Sequence, residues 1–270
     1  MTDSEYIRIT DHMKKVYGID LTGKKAIMEG RMNNMIAREG YGSYTDYINA
    51  VMSDSSGEME RELVNILTTN HTYFNREFEH FEFLKNTILP YFKDKESDKK
   101  DLRIWCGASS TGEEPYMLAM TLLSFFGLEH KDWDTKILAT DIATEALQTA
   151  IRGQYSKEAV AGLSEQWKRR FFKPVATDPE IVEVTKEVKD EVIFRQFNLM
   201  HDFPFRKKMH VVFLRNVMIY FDQKTKNDLV MRIYNLLEPG GYLITGKTEA
   251  VDTEEIPFEM VCPSIFRKPI

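Results

Sequence analysis

Glu113 and Glu114 stand at the two positions where a phosphate-binding loop would carry Lys and then Ser or Thr. What precedes them has the form of such a loop. An apolar run, Leu102 to Cys106, gives way to small residues from Gly107 to Gly112 with the spacing Gly-x-x-x-x-Gly. Pro115 suits the first turn of a helix. Strand, tight loop and helix together present backbone N–H groups to a ligand. Two carboxylates would repel a triphosphate and attract an ammonium or sulfonium group. The loop therefore points to S-adenosylmethionine, whose methionine end carries both cations.

Further polar residues fall where strands should end. Asp141 closes the run ILATD. It is placed to accept hydrogen bonds from a ribose, or to cap the helix that starts near residue 143. Val211 to Tyr220, VVFLRNVMIY, is an apolar strand ending in Arg215-Asn216, and Asn198 follows the strand VIFRQF. Ligands of open α/β sheets bind beyond such carboxyl ends. A surface ion pair for Arg215 and a turn or cap for Asn216 are the plain alternatives. LLEPGGYLIT reads as a helix end, a Pro-Gly-Gly turn and a strand. Asn70 to Arg76, NHTYFNR, combines amides, a hydroxyl, aromatics and a cation, and could equally be a helix-capping loop.

The elements that must hold these residues fall into two parts. Residues 1–75 read as helices with apolar stripes at Ile7, Ile9, Met13, Val16 and Tyr17, at Ile27, Met28, Met32, Met35 and Ile36, and at Tyr44, Tyr47, Ile48, Val51 and Met52. The methionine stripe reads as helical core. Residues 76–92 form an amphipathic linker helix and the run Lys93 to Asp101 a solvated connector. Over 102–270 strands at 102–106, 136–140, 192–197, 210–214 and 242–246 alternate with helices at 115–126, 143–152, 164–172 and 223–237. This alternation predicts an α/β fold with a parallel, doubly wound sheet. Two alternating runs within 181–197 flank Lys189-Asp190 and predict a small antiparallel insert, placed at about 178–197.

The chain has 270 residues, 43% of them hydrophobic and 29% charged, with net charge −6. That acidity argues against nucleic acid as a partner. No apolar run is long enough for a bilayer span, and the polar N-terminus lacks a signal pattern, so a cytoplasmic location is expected. Cys106 and Cys262 read as buried thiols of a reducing compartment. The histidines show no metal-binding spacing, and no metal is expected.

TTNHTYFNRE, ASSTGEEPY, ATDI, FNL and RNVMIYF, in this order and spacing, resemble the chemoreceptor glutamate methyltransferase family, CheR. The resemblance runs from GIDLTGKKAIMEGRM to FRKP. It implies a small all-α receptor-recognition domain (1–75), a linker (76–101), and a Rossmann-like class I methyltransferase domain (102–270) with an inserted antiparallel β-subdomain. It implies a protein-glutamate O-methyltransferase that uses S-adenosyl-L-methionine, yields S-adenosyl-L-homocysteine, and esterifies cytoplasmic signalling domains of chemoreceptors during adaptation. Residue by residue, it implies Asn70, Thr72 and Arg76 in the cofactor pocket, Glu114 at the methionine amino group and Asp141 at the ribose. Asn198 and Leu199 fall at the adenine, and Arg215 and Asn216 close the site. Arg76 and Tyr220 are implied to position the acceptor carboxylate. Members that dock a receptor tail carry a glycine-containing loop in the β-subdomain. PVATDPEIVEV has none, which sets this chain apart from them.

Lys24, Lys25, Arg31 and Arg38 stand against one acid, Glu29, in segment 24–38. This basic helix is either a docking face for Glu-rich receptor helices or ordinary solvated surface. Two other readings compete: a methyltransferase of the same fold acting on RNA or a small metabolite, and a non-catalytic module that senses the cofactor.

Overall fold

The computed structural model describes residues 1–68 and 70–270; Thr69, within the quoted motif, lies outside the described residues. The N-terminal part is helical: α1 (Asp3–Tyr17), α2 (Lys25–Arg38), α3 (Tyr44–Ser53) and α4 (Glu58–Leu67). Thr2 and Glu5 cap α1 reciprocally, and Gly18, in the left-handed region, ends it. Most of the apolar stripes are core: Ile9, Met13, Met28, Met32, Met35, Ile36, Tyr47 and Ile48 are buried, whereas Ile7, Ile27 and Met52 are exposed.

The linker is helical as expected but begins and ends three residues later than its pattern suggested. It comprises α5 (Glu79–Phe83), a π-helical segment Leu84–Ile88, and α6 (Leu89–Lys95). The connector is pinned, not solvated throughout. Glu96 is buried, with Oε1 3.5 Å from His210 Nε2. A charge run hides such a residue, because only the tertiary neighbour reveals which acid turns inward.

The remaining elements are β1 (Ile104–Gly107), α7 (Glu113–Phe126), β2 (Ile137–Asp141), α8 (Thr144–Arg152), β3 (Gln154–Ser156), α9 (Glu165–Phe171), β4 (Phe172–Val175), β5 (Asp178–Val184), α10 (Lys186–Lys189), β6 (Val192–Gln196), β7 (Met209–Leu214), α11 (Gln223–Leu236), β8 (Leu237–Thr245), β9 (Glu259–Cys262) and β10 (Ile265–Arg267). The main sheet runs β6-β2-β1-β7-β8-β10-β9. Its pairs from β6 to β8 are parallel, and β10 and β9 add an antiparallel edge. Strand order reverses between β1 and β7, so a crevice opens beyond Gly107 and Leu214.

Two expectations need correction. Val192–Gln196, expected both in the parallel sheet and in the antiparallel insert, belongs only to the first: it pairs parallel with β2 at the edge of the main sheet. The antiparallel insert is instead β3-β5-β4, within 154–184, and Lys186–Lys189 is a helical turn. Alternation marks a half-exposed strand but does not name its neighbour. The second correction concerns Pro239-Gly240-Gly241, which lies inside β8 and not in a turn before it. The irregularity is absorbed as a register shift opposite Met209 and Val211.

Trp105 faces one side of β1, Ile104 and Cys106 the other. The Trp105 side shares one core with α1–α4, so the helical part packs directly on the sheet. Asn198 Nδ2 donates to Val16 O at 2.8 Å, and Asp20 N donates to Tyr220 O at 2.8 Å.

Candidate active site

The crevice beyond β1 and β7 is a cavity, and Asn70, Thr72, Arg76, Glu114, Asp141, Asn198, Leu199, Arg215, Asn216 and Tyr220 all line it. The sequence-predicted site residues are therefore brought together, from five separate segments of chain. Each comes from a strand end or the turn that follows it, from the first turn of α7, or from the segment leading to α5.

The β1–α7 loop is held tightly. Ser109 N donates to Thr140 O at 2.9 Å, and Ser110 N donates to Asp141 Oδ2 at 2.6 Å. Asp141 Oδ1 accepts from Ala143 N at 2.8 Å, so the capping reading of Asp141 holds geometrically as well. Ala108 and Ser110 adopt left-handed φ of 61° and 48°. Non-glycine residues hold this conformation only where their surroundings impose it. Gly112, with φ 98°, starts α7, and a Cβ there would meet Ala150 Cβ at 2.8 Å. Ser109 Oγ is buried in the cavity wall without a hydrogen-bond partner. In a cavity wall such an atom can bond a ligand.

Acidic groups dominate this side. Burial pushes the Asp141 carboxyl upward, against the pull of the Ala143, Ser110 and Ile142 N–H groups. Glu114 accepts from Arg215 Nη1 through one oxygen and from Cys106 Sγ at 3.2 Å through the other. Burial raises the Cys106 thiol, which stays protonated as that donor. Arg215 also meets Glu77 Oε2 at 3.2 Å and the Arg76 carbonyl. Glu77 and Glu114 thus share one buried guanidinium while Asp141 has backbone partners. The excess is negative, which suits a ligand bearing an ammonium and a sulfonium. Phe197, Leu199 and Ile142 supply an apolar wall against which an adenine ring fits. The residues present fit S-adenosylmethionine.

The cavity wall also carries donors. Arg76 Nη1 donates to His71 O at 2.7 Å, and its guanidinium carbon lies 5.8 Å from the Tyr73 ring centroid. Lys24 Nζ lies 5.4 Å from the Tyr220 ring centroid. Among the described residues, no group of three His, Cys, Asp or Glu is arranged to hold a metal ion, and no helix is long and apolar enough to cross a membrane.

The sequence reading missed part of the wall. Tyr17, Leu21, Lys24, Met28 and Arg31 of the helical part line the cavity. The basic segment 24–38 is thus not separate from the cofactor site. Its charges are also engaged: Lys25 with Asp3 at 2.6 Å, Arg38 with Glu39 at 2.8 Å and Glu62 at 2.7 Å, and Arg31 with the Leu67 and Thr68 carbonyls at 3.0 Å. Glu77 and Glu249 escaped notice too. Glu77 adjoins Arg76 in the quoted motif, and its position was the available signal. Asn198 is tied by its amide to Val16 O and by its oxygen to Met200 N at 2.9 Å, so it anchors α1 while lining the cavity.

Comparison with known proteins agrees with the geometry. Residues 4–68 match the family described as CheR methyltransferase, all-alpha domain, and residues 70–265 match CheR methyltransferase, SAM binding domain. A chemotaxis protein methyltransferase of Borreliella burgdorferi is 35% identical, covering 99% of this chain and 95% of that one. Chemotaxis protein methyltransferase Cher2 of Pseudomonas putida is 32% identical, covering 96% and 94%. That of Escherichia coli is 33% identical, covering 92% and 85%. A full-length match in both domains, over a cavity of the right chemistry, leaves one assignment: the chain belongs to the CheR methyltransferase family and is an S-adenosylmethionine-dependent chemotaxis protein methyltransferase.

Proposed function

We propose that the chain esterifies glutamate side chains on cytoplasmic signalling domains of chemoreceptors, in the cytoplasm. One observation carries this reading. The cavity offers an acceptor a guanidinium, an ammonium and a phenol, from Arg76, Lys24 and Tyr220. Such a set suits a carboxylate acceptor and would repel a protonated amine.

A glutamate, with a pKa of about 4.3, is already ionised at neutral pH. The reaction therefore needs no general base, and the protein's part is placement. Bound S-adenosylmethionine supplies a methyl group on a positively charged sulfur, which keeps the C–S electron pair as the ester bond forms. No proton moves. Asp141 holds the ribose and Glu114 the amino group. Ser109 offers a further hydroxyl, and Leu199 packs on the adenine. Asn70, Thr72, Asn198, Arg215 and Asn216 complete the pocket. Arg76, held by the His71 carbonyl and the Tyr73 ring, presents its charge to the acceptor carboxylate. Too close an ion pair would blunt the oxygen's nucleophilicity, so the Tyr220 hydroxyl orients it more gently. Lys24 beside Tyr220 makes the start of α2 part of the same acceptor site. Any docking through the basic helix then begins at the cavity edge, since Lys25 and Arg38 are paired within the chain.

The test is transfer of labelled methyl to purified receptor signalling-domain fragments, followed by mild base. Label released as methanol supports the reading. A base-stable product, or cofactor binding without transfer to the fragments, refutes it.

A further inference from the structure

The loop that carries Arg215, Asn216 and Tyr220 is held at its start by the Arg215 side chain, which meets Glu77 and Glu114. The main-chain N–H groups that follow are bound from outside the loop. Glu249, 6% exposed, turns its carboxylate into the loop from just beyond β8. Oε2 accepts from Asn216 N at 2.6 Å and Gly246 N at 2.7 Å. Oε1 accepts from Met218 N at 2.6 Å and Ile219 N at 3.3 Å. A buried carboxylate is costly unless its lone pairs are filled, and here main-chain N–H groups fill both oxygens.

Two further observations point the same way. Asn216 sits in the left-handed region at φ 58°, the conformation that turns its N–H toward Oε2. At Gly246 an added Cβ would lie 2.7 Å from Glu249 Oε2 and 2.5 Å from Asn216 Nδ2. Only glycine leaves room for the carboxylate and the loop together. Glu249 itself does not line the cavity, whereas Arg215, Asn216, Val217 and Tyr220 do.

We infer that Glu249 is a positioning residue for methyl transfer: it sets the Asn216–Ile219 backbone and thereby the placement of the Tyr220 hydroxyl against the acceptor. This rests on the acceptor role proposed above for Tyr220. A carboxylate is required because it is acceptor-only. Glutamine at this position would keep one accepting oxygen and turn an NH2 group toward two N–H donors.

The experiment is a double-mutant cycle on the full chain, with S-adenosylmethionine and a purified receptor signalling-domain fragment at saturation. Glu249→Gln alone is expected to lower kcat on the order of 10- to 100-fold, as a displaced catalytic group does. In a Tyr220→Phe background the same change should lower kcat less than about twofold, because the group it places is already gone. A purely structural role would give the same fold loss in both backgrounds. Should Glu249→Gln fail to fold, Gly246→Ala completes the cycle, since it displaces the loop while keeping the carboxylate. Equal losses in both backgrounds, or wild-type turnover for Glu249→Gln, overturn the inference alone. A Tyr220→Phe enzyme with wild-type turnover overturns the acceptor role beneath it, and the inference with it.

Discussion

Replacing Asp141 by Ala should separate two roles that one carboxylate performs. In the structure it staples the β1–α7 loop to the end of β2, accepting from Ser110 N at 2.6 Å and Ala143 N at 2.8 Å. Each such hydrogen bond to a charged group is worth about 1.5–3 kcal/mol. Their loss is offset in part, because burial already disfavours the charge. Stability should therefore fall by less than the sum. The proposed ribose contact adds a further loss of about 1.5–3 kcal/mol to binding, which is roughly a 10- to 100-fold rise in Kd. S-adenosylmethionine and S-adenosylhomocysteine should suffer alike, because they share the ribose. A loop that merely sagged could mimic this, so the discriminating ligand is the 2′-deoxy analogue of S-adenosylhomocysteine. By calorimetry the native protein should bind the analogue more weakly than the parent. Asp141→Ala should bind the two equally. Unchanged affinity for both cofactors, or a variant that still prefers the parent, removes Asp141 from the ribose site.

Tyr220→Phe should lower turnover with little change in cofactor affinity, whereas Arg76→Ala should lower turnover and weaken the cofactor too; steady-state kinetics beside calorimetry tests the split. Burial, reinforced by Arg215, pushes His80 from 6.5 down to about 4. The unfolded chain then takes up this proton first as pH falls. The associated stability is complete above pH 6.5 and is lost progressively toward pH 4. Urea unfolding across that window should show a shallower slope for His80→Gln; an identical slope excludes His80 as a source. Arg31→Met removes the donor to the Leu67 and Thr68 carbonyls at the end of α4. It should cost about 1.5–3 kcal/mol in chemical denaturation, and an unchanged unfolding free energy would exclude that capping role.

The strand ends were legible because each carries its polar residue immediately after an apolar run, as at Asp141 and Arg215. The β1–α7 loop was legible because glycine spacing and acid placement sit within a few residues of each other. What escaped was whatever depends on contacts distant in sequence. Val192–Gln196 has the alternation of any half-exposed strand, which fitted both the main sheet and the insert, and its parallel pairing with β2 decides between them. Lys24 and Met28 look like a basic surface and a core stripe, yet both reach the cavity, because Val16 of α1 is tied to Asn198 and Asp20, between α1 and α2, to Tyr220. Glu249 resembles any surface acid until the N–H groups of a loop some thirty positions earlier are found around it.

The shared wall of the cavity gives the helical part and the sheet part a common ligand. Tyr17, Leu21, Lys24 and Met28 border it from one side, Asp141 and Arg215 from the other. A molecule seated between them acts as a reversible crosslink whose strength is set by concentration. At a hundredfold excess over Kd it adds about 2.7 kcal/mol to whatever must open for it to leave. The cellular supply of cofactor is then also a supply of cohesion between the helical part and the sheet.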